Sequence, residues 1–170
     1  AQFQSGLIAL LYCMTTATPH ASDMPCPPVS PRGDAGEGTG VIIINLTRFG
    51  DLLQSQALVN DLHKAGLRVG LVCLENFASA VPLLRHVDAA WPLPGASLLA
   101  DVNGNWRNAA LNMLAFVRRI HQEMPGARVV NLTATLPARL LARMLASQPD
   151  GIAGFGMDAE GFGFSGGIWT

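Results

Sequence analysis

A short polar stretch after an apolar run carries the side chains best suited to chemistry. The run VIIINL, at positions 41–46, is followed by Thr47, Arg48, Phe49, Gly50 and Asp51. Gly50 permits a tight turn, and the leucine-rich pattern after it places Asp51 in the first turn of a helix. The helix dipole favours an ionised carboxylate there by about 0.3–1 kcal/mol, which makes Asp51 a ready proton acceptor. From spacing alone, capping of the helix is the simpler function of Asp51, and general-base chemistry is the alternative.

Five short apolar runs have the length and composition of strands that are buried on both faces. They lie at positions 41–46, 68–74, 87–93, 127–132 and 151–155. Helical patterns separate them, most clearly at 51–65, where Gly66 follows as the C-cap, and at 105–126. This alternation predicts an α/β fold, a Rossmann-like doubly wound parallel sheet with helices on both faces. Because such sheets bind ligands beyond the carboxyl ends of their strands, residues 47–51 should lie at the mouth of the site.

Composition limits the classes of function. The 170 residues are 49% hydrophobic and 14% charged, which suits one globular domain with a sizeable core. Eleven basic and twelve acidic residues give a net charge of -1, and the basic ones are scattered, so no nucleic-acid partner is predicted. Cys13, Cys26 and Cys73 lack zinc-ligand spacing, and we interpret them as free thiols in a reducing compartment. No metal site is predicted.

Nucleotide-binding signatures do not occur where they would be needed. A dinucleotide site requires G-x-G-x-x-G after the first strand, where this chain has N-L-T-R-F-G-D. The glycines Gly38 and Gly40 precede that strand, and G-x-x-x-x-G-K-[ST] occurs nowhere in the chain. The glycine-rich end, GIAGFGMDAEGFGFSGG, has no helix pattern behind it, so we interpret it as a flexible loop and not as a phosphate site. No cofactor is predicted.

The two ends of the chain differ in composition from its middle. Residues 15–38 are rich in Pro, Ser, Thr, Gly and Ala, and the apolar run at 6–14 is far shorter than the about 20 residues of a membrane-spanning helix. We therefore predict a disordered or non-structural leader at 1–38, a Rossmann-like domain at 39–158 and a flexible tail at 159–170. An export signal is the alternative for the leader, although no basic residue precedes its apolar run.

Four segments follow one another in an order that is known from a protein family. They are VIIINLTRFGDLLQSQALVNDLHKAG, LRVGLVCLENFASAVPLLRHVDAAWPLP, ARVVNLTATLPARLLARML and GIAGFGMD. The first combines a strand, a polar turn ending in Gly-Asp and a leucine-rich helix, and the second combines a strand, a short helix and a third strand. The last two supply a fourth strand with its helix and a fifth strand. This ordered set, from residue 40 to about residue 158, resembles the family 9 glycosyltransferases, the lipopolysaccharide heptosyltransferases.

The resemblance implies the N-terminal half of a two-domain GT-B glycosyltransferase that inverts the anomeric centre without a metal. It implies that this half binds a lipid-linked core oligosaccharide acceptor. A second half, toward which the tail leads, would bind the nucleotide-sugar donor of a heptose-like sugar. The enzyme would be cytoplasmic, and the lipid of its acceptor leaves open a peripheral contact with the inner membrane. The carboxylate of the Gly-Asp pair is placed as the general base in this family, and Asp51 matches it.

The resemblance also indicates acceptor-binding residues in the turn after the first strand. Thr47, Arg48 and Gly50 match the family's polar turn, which could hold hydroxyl or phosphate groups of the acceptor. Arg suits phosphate through its bidentate fork. A solvated loop position is the alternative for Arg48. Phe49 could stack against a sugar ring or pack beneath the loop.

The loop after the fourth strand departs from the family. Where the family often has Gly and a basic residue followed by Ser, this chain has Ala134, Pro137 and Ala138, which argues against phosphate recognition there. The polar residues that remain as acceptor-binding candidates are Asn131, Thr133, Thr135 and Arg139. For Asn131 and Thr135, helix capping is the alternative.

Two other functions stay open at the level of sequence. The first is a nucleotide-binding Rossmann domain of another enzyme, which requires that this chain bind a nucleotide directly. The second is a non-catalytic remnant that folds and mediates association. A complete gene that encodes a second β-α-β half would favour the glycosyltransferase, and one that does not would favour the remnant.

Overall fold

The structure, a computed structural model, describes residues 40–148, 151–158 and 160–166. Its strands are β1 Gly40–Asn45, β2 Arg68–Leu74, β3 Ala89–Leu93, β4 Arg128–Asn131, β5 Ile152–Met157 and β6 Gly163–Gly166. Its α-helices are α1 Phe49–Gln54, α2 Gln56–Lys64, α3 Gly95–Gly104, α4 Trp106–Glu123 and α5 Leu136–Leu145, and a 3₁₀ helix spans Glu75–Leu83. The predicted leader, with Cys13 and Cys26, lies outside the described residues.

The strands form one six-stranded sheet in the order β3-β2-β1-β4-β5-β6. Strands β1 to β5 are parallel, and β6 pairs antiparallel with β5. At the centre, Ile43 of β1 stands opposite Leu71 of β2 and Val130 of β4. Helices connect the parallel strands, so the predicted α/β class and the Rossmann-like parallel sheet are confirmed.

Strand β1 contributes to hydrophobic cores on both faces of the sheet, because successive side chains of a strand point to opposite faces. Ile42 and Ile44 pack on one face against residues of α4 and α5, namely Val117, Ile120, Leu141 and Leu145. Val41 and Ile43 pack on the other face with Leu52 of α1 and Val59 of α2. Full burial of one such side chain contributes about 1.5–3 kcal/mol, so the start of the candidate loop rests on a rigid strand.

Cys73 of β2 lies in the second of these cores. It is fully buried and is a free thiol, as predicted. Burial disfavours the charged thiolate and raises the pKa of Cys73. The side chain therefore behaves as a small apolar core residue.

The helix predicted at 51–65 is divided at Ser55 into α1 and α2. The Ser55 hydroxyl is buried and donates to the Leu52 carbonyl over 2.5 Å, and the Ser55 amide donates to the same carbonyl over 3.2 Å. A serine side chain that binds a nearby backbone carbonyl competes with the regular helix ladder, which explains the break. The predicted end is confirmed, since Gly66 follows α2 with a positive φ of 77°.

The interpretation of residues 159–170 as a flexible tail is wrong at Gly163–Gly166. These residues form β6, which pairs with β5 through the register Gly156 to Phe164. The physical reason is the missing side chain of Gly156, because a Cβ there would collide with the Phe164 ring. Phe164 can therefore pack over β5 and against the core. The glycine-rich sequence, which suggested a loop, here leaves space for the Phe164 ring.

The amino edge of the sheet is held by a contact between β3 and the end of α4. The buried Trp91 indole donates to Glu123 Oε2 over 2.9 Å, and Arg119 Nε donates to Glu123 Oε1 over 2.9 Å. The hydrogen bonds from Arg119 and Trp91 lower the pKa of Glu123. Arg68 of β2 adds a bond to the Glu123 carbonyl of 2.9 Å. This edge lies opposite the loops after β1 and β4.

None of the helices in the described part of the chain combines the length and apolar character needed to cross a membrane.

Candidate functional site

The strand order reverses between β1 and β4, which is where a sheet of this kind forms a ligand crevice. Strands β2 and β3 lie on one side of β1, and β4 and β5 lie on the other. The loops that follow β1 and β4 meet at this point. The Leu46 amide donates to Thr133 Oγ1 over 2.9 Å, and the Leu132 amide donates to the Ile44 carbonyl over 2.9 Å. The two loops predicted to form the site are therefore neighbours.

Asn45, the last residue of β1, shapes the polar turn. It is 3% exposed, and its side chain bonds to both ends of the turn. Its Oδ1 accepts from the Thr47 amide over 3.2 Å and from the Thr47 hydroxyl. Its Nδ2 donates to the Asp51 carbonyl over 3.2 Å. One buried amide thus connects the strand, the turn and the first turn of α1.

Asp51 is the third residue of α1, and its side chain is exposed. The N-cap position is occupied by Arg48, and no side-chain capping bond is present at this helix start. Within the described residues, the Asp51 carboxylate has no hydrogen-bond donor. The capping function that spacing favoured therefore finds no support in the geometry of α1. The carboxylate remains open to a ligand at the carboxyl edge of the sheet.

Asn131 and Thr133 are buried and support the loop after β4. Asn131 Nδ2 donates to the Phe155 carbonyl over 2.6 Å, and Asn131 Oδ1 accepts from the Thr133 amide over 2.9 Å. Thr133 Oγ1 accepts the bond from Leu46 described above. Both side chains link neighbouring strand ends. The capping alternative for Asn131 is wrong, because Asn131 ends β4 and does not lie at a helix start.

Thr135 occupies the N-cap position of α5 but makes no side-chain capping bond. Its side chain is exposed beside the crevice, and its carbonyl accepts from the Arg139 amide over 3.0 Å. Thr135 therefore stands at the capping position of α5, as the capping alternative predicted, but its hydroxyl does not cap the helix. This hydroxyl is available to a ligand.

Arg139 of α5 fastens the loop after β4 to the β5–β6 hairpin. Its Nε donates to the Ala134 carbonyl over 3.0 Å, and its Nη1 donates to the Gly156 and Phe164 carbonyls over 2.7 and 2.6 Å. The guanidinium carbon also lies 5.3 Å from the centroid of the Phe155 ring. A charged donor that holds three carbonyls is a strong structural contact. Arg139 is thus hydrogen-bonded to backbone carbonyls of the loop after β4 and of the β5–β6 hairpin.

Gly154 of β5 allows the last two parallel strands to approach closely. It has a φ of 83° and stands opposite Asn131 in the register. A Cβ at this position would collide with the Asn131 carbonyl oxygen and lie 3.2 Å from its carbonyl carbon. Only glycine combines this conformation with so near a backbone neighbour.

The groups left open at this edge define what it can do. The exposed side chains include one carboxylate, one guanidinium, one hydroxyl and two large apolar groups, from Asp51, Arg48, Thr135, Phe49 and Leu136. Phe49 is 38% exposed and Leu136 is 39% exposed. Such a surface can accept a proton, bind hydroxyl or phosphate groups and cover the apolar face of a sugar ring. In residues 40–148, 151–158 and 160–166, no group of three His, Cys, Asp or Glu side chains is placed to hold a metal ion.

Asn45 is a residue of the site that the sequence did not indicate. The only signal for it is a polar residue at the end of an otherwise apolar strand, two positions before Thr47. An Asn or Asp at such a place commonly binds the backbone two residues further on. That pattern predicts the bond to the Thr47 amide. It does not predict the bond to the Asp51 carbonyl.

The fold and the position of its crevice define an α/β domain of the kind that forms one half of a GT-B glycosyltransferase. Among solved structures, the chain is similar to Escherichia coli heptosyltransferase WaaC with ADP-2-deoxy-2-fluoro heptose. The TM-score is 0.56 and the identity 19%, over 71% of this chain and 36% of that chain. The same heptosyltransferase with ADP gives a TM-score of 0.55 at 19% identity, with the same coverage of 71% and 36%.

A second protein of the same family is also similar. The glycosyl transferase family 9 structure from Veillonella parvula DSM 2008 matches with a TM-score of 0.53 and 16% identity, over 68% of this chain and 31% of that chain. No family model and no curated protein matches this chain. At these identities the likeness establishes the fold, and the predicted structural resemblance to family 9 glycosyltransferases is confirmed at that level. The chain spans about a third of the length of the structures it matches, at 31–36%.

Proposed function

We propose that this domain is the N-terminal, acceptor-binding half of an inverting glycosyltransferase that transfers a heptose-like sugar to a lipopolysaccharide core acceptor. The observation that carries the proposal is the exposed Asp51 carboxylate at the reversal point of the strand order, without a capping bond. The donor would be a nucleotide-sugar held by a second domain. The matched heptosyltransferase, whose structure contains ADP-2-deoxy-2-fluoro heptose, supports this choice of donor class.

Asp51 acts as the general base in the proposed mechanism. An acceptor hydroxyl donates a hydrogen bond to the Asp51 carboxylate, and its oxygen attacks the anomeric carbon of the donor sugar. The hydroxyl proton passes to Asp51 as the new glycosidic bond forms. The bond to the nucleoside diphosphate breaks on the opposite side, so the diphosphate leaves with its electron pair and the configuration inverts. A positioned base contributes about 10²–10⁴ to the rate of such a step.

The other candidate residues divide into two groups in this proposal. Thr47, Arg48 and Thr135 contact the acceptor, because their side chains are at least partly exposed at the crevice. Gly50, the second residue of α1, contributes exposed backbone to the same edge. Arg48 is the charged group suited to an acceptor phosphate or carboxylate.

Asn131, Thr133 and Arg139 support the crevice by holding loops in place. The first two are buried, and the Arg139 guanidinium holds three backbone carbonyls. These residues bind the acceptor indirectly in the proposal, through the shape of the loop after β4. Fewer residues therefore contact the acceptor directly in this proposal than the sequence predicted.

The proposed cellular setting follows from the acceptor. A lipid-linked oligosaccharide would bring the enzyme to the cytoplasmic face of the inner membrane, where the contact would be peripheral. The lipid lies in the membrane, while the sugar reaches the crevice between β1 and β4.

The proposed function is tested by assaying the complete protein for sugar transfer from ADP-heptose to a lipopolysaccharide core acceptor. We expect transfer with inversion at the anomeric carbon, determined by NMR of the product. Turnover with retention would contradict the proposed role of Asp51. No turnover with any ADP- or UDP-sugar would favour the non-catalytic remnant.

The isolated chain is expected to bind nucleotide-sugars only weakly, with dissociation constants in the millimolar range or above, which corresponds to a binding free energy no more favourable than about -4 kcal/mol. Residues 46–51, which lead from β1 into α1, contain a single glycine, Gly50, and so lack the glycine spacing that lets a backbone approach a pyrophosphate. Calorimetric titration with ADP- and UDP-sugars measures this affinity. Micromolar binding would instead favour the nucleotide-binding domain of another enzyme.

A further inference from the structure

We propose that Asn45 is the positioning residue that sets the location of the Asp51 carboxylate. This inference rests on the proposed function of Asp51 as a base. Asn45 lies at the end of the central strand β1 and is 3% exposed. The hydrogen-bond partners of its side chain all belong to this chain. Its side chain holds Thr47 at one end of the turn and the Asp51 carbonyl at the other.

The helix that carries Asp51 has little stability of its own. Helix α1 spans six residues, Phe49–Gln54, and starts without a side-chain capping bond. Helices much shorter than about 12–15 residues are marginal in water unless tertiary contacts hold them. The tertiary contacts here include the burial of Leu52 in the core, the packing of Leu53 against the same core and the bond from Asn45 to the Asp51 carbonyl. Leu52 fixes the inner face of α1, and Asn45 fixes the first turn, where the carboxylate is attached.

The chemistry of the position requires an amide. Asn45 uses a carbonyl oxygen toward Thr47 and an NH₂ group toward Asp51, and asparagine supplies both on one short side chain. Aspartate keeps the acceptor and loses the donor. Alanine loses both and leaves the Thr47 amide without its partner. The two substitutions therefore separate the two ends of the turn.

The turn remains attached to the sheet when Asn45 is changed. The Leu46 amide donates to Thr133 Oγ1, and this bond does not involve the Asn45 side chain. Asn45→Ala should thus release residues 47–51, and Asn45→Asp only the Asp51 end, while both leave the junction between the β1 and β4 loops in place. Protection of the Leu46 amide from exchange therefore distinguishes local opening of the turn from opening of the whole domain.

The first test is hydrogen exchange of backbone amides in the 170-residue chain, measured by NMR. In Asn45→Ala we expect the Thr47 amide to exchange at least about tenfold faster than in the wild type, while the Leu46 amide stays protected. In Asn45→Asp the Thr47 amide should keep its protection, and this variant carries the kinetic test described next if Asn45→Ala does not fold. Arg119→Ala, which removes one exposed hydrogen bond to Glu123 at the opposite edge, is the control and should leave the Thr47 amide unchanged.

The second test is kinetic and uses the complete transferase. Misplacement of a reacting group by about 1 Å can cost about 100-fold in rate, so Asn45→Ala and Asn45→Asp should both lower kcat by about 10–100-fold. In an Asp51→Asn background, the same changes should lower kcat no further, because the group they position is already inactive. Arg119→Ala should leave kcat near that of its parent in both backgrounds, the wild type and Asp51→Asn.

The outcomes distinguish this inference from the proposed function. Equal losses of kcat with and without the Asp51 carboxylate would show that Asn45 acts on the fold and would overturn the positioning role. An unchanged Thr47 amide in Asn45→Ala would overturn it whatever the activity of the enzyme. A wild-type protein that transfers no sugar would instead refute the proposed function, and the amide exchange would still decide whether Asn45 holds the turn.

Discussion

Replacement of Asp51 by asparagine is expected to lower the turnover of the complete transferase by about two to four orders of magnitude. Asparagine keeps the shape and the hydrogen-bonding capacity of the side chain but cannot accept the proton of the acceptor hydroxyl. The fold and the affinity for the acceptor should be retained, because the exposed Asp51 side chain makes no hydrogen bond among the described residues. Steady-state kinetics at saturating donor and acceptor measure the effect.

The matched control for this change is Asp61→Asn in α2. Asp61 is exposed, and its carboxylate contacts only the exposed Lys64 at 3.7 Å, so its loss removes the same charge away from the crevice. We expect turnover close to that of the wild type. Under a capping function, Asp51→Asn would behave like this control, because Asn caps a helix nearly as well as Asp. Turnover of Asp51→Asn within about threefold of the wild type would therefore remove the catalytic assignment.

The Gly154→Ala variant is expected to lose about 2–5 kcal/mol of unfolding free energy. A left-handed conformation costs a non-glycine residue roughly 1–2 kcal/mol, and the collision with the Asn131 carbonyl adds about 1–3 kcal/mol of overpacking. Because Asn131 supports the loop after β4, the same strain should reach the crevice. Urea unfolding at unchanged m-value gives the loss in free energy.

Gly126→Ala separates the two parts of this cost. Gly126 also has a positive φ, of 70°, but a Cβ there would meet no atom within 4 Å. Its substitution should cost only the conformational part, about 1–2 kcal/mol. Equal losses in the two variants would show that the close approach of β5 to β4 does not contribute.

The sheet was predictable because its signals are local and agree with one another. The apolar runs of β1, β2 and β4 are short and rich in branched residues, which is typical of strands buried on both faces. Helical periodicity between such runs leaves few topologies other than parallel crossovers. The edge of the sheet that carries the candidate site was also predictable, because the carboxyl ends of parallel strands lie together. Asp51 was therefore placed correctly with respect to the sheet.

The features that were missed depend on contacts between distant parts of the chain. Helix α3, Gly95–Gly104, begins and ends with glycine, which gives a weak helix signal, and its packing against α4 holds it. Strand β6 forms because Phe164 fills the space beside Gly156, a match that no single stretch of sequence shows. Prediction of the candidate site from the sequence was limited in the same way. The structural functions of Asn131 and Arg139 depend on carbonyls of β5 and β6, which the sequence does not reveal, so the polarity of these two residues suggested ligand contacts.

Acceptor binding at the carboxyl edge between β1 and β4 is tested most directly by titrating the ¹⁵N-labelled chain with a soluble core oligosaccharide and following its amide resonances. We expect saturable shifts at Thr47, Arg48 and Asp51 after β1 and at Thr135 before α5. The amides of Gly126 and Arg128, at the opposite edge of the sheet, should not shift. Saturable shifts confined to that opposite edge, or none at millimolar oligosaccharide, would contradict an acceptor site in this crevice.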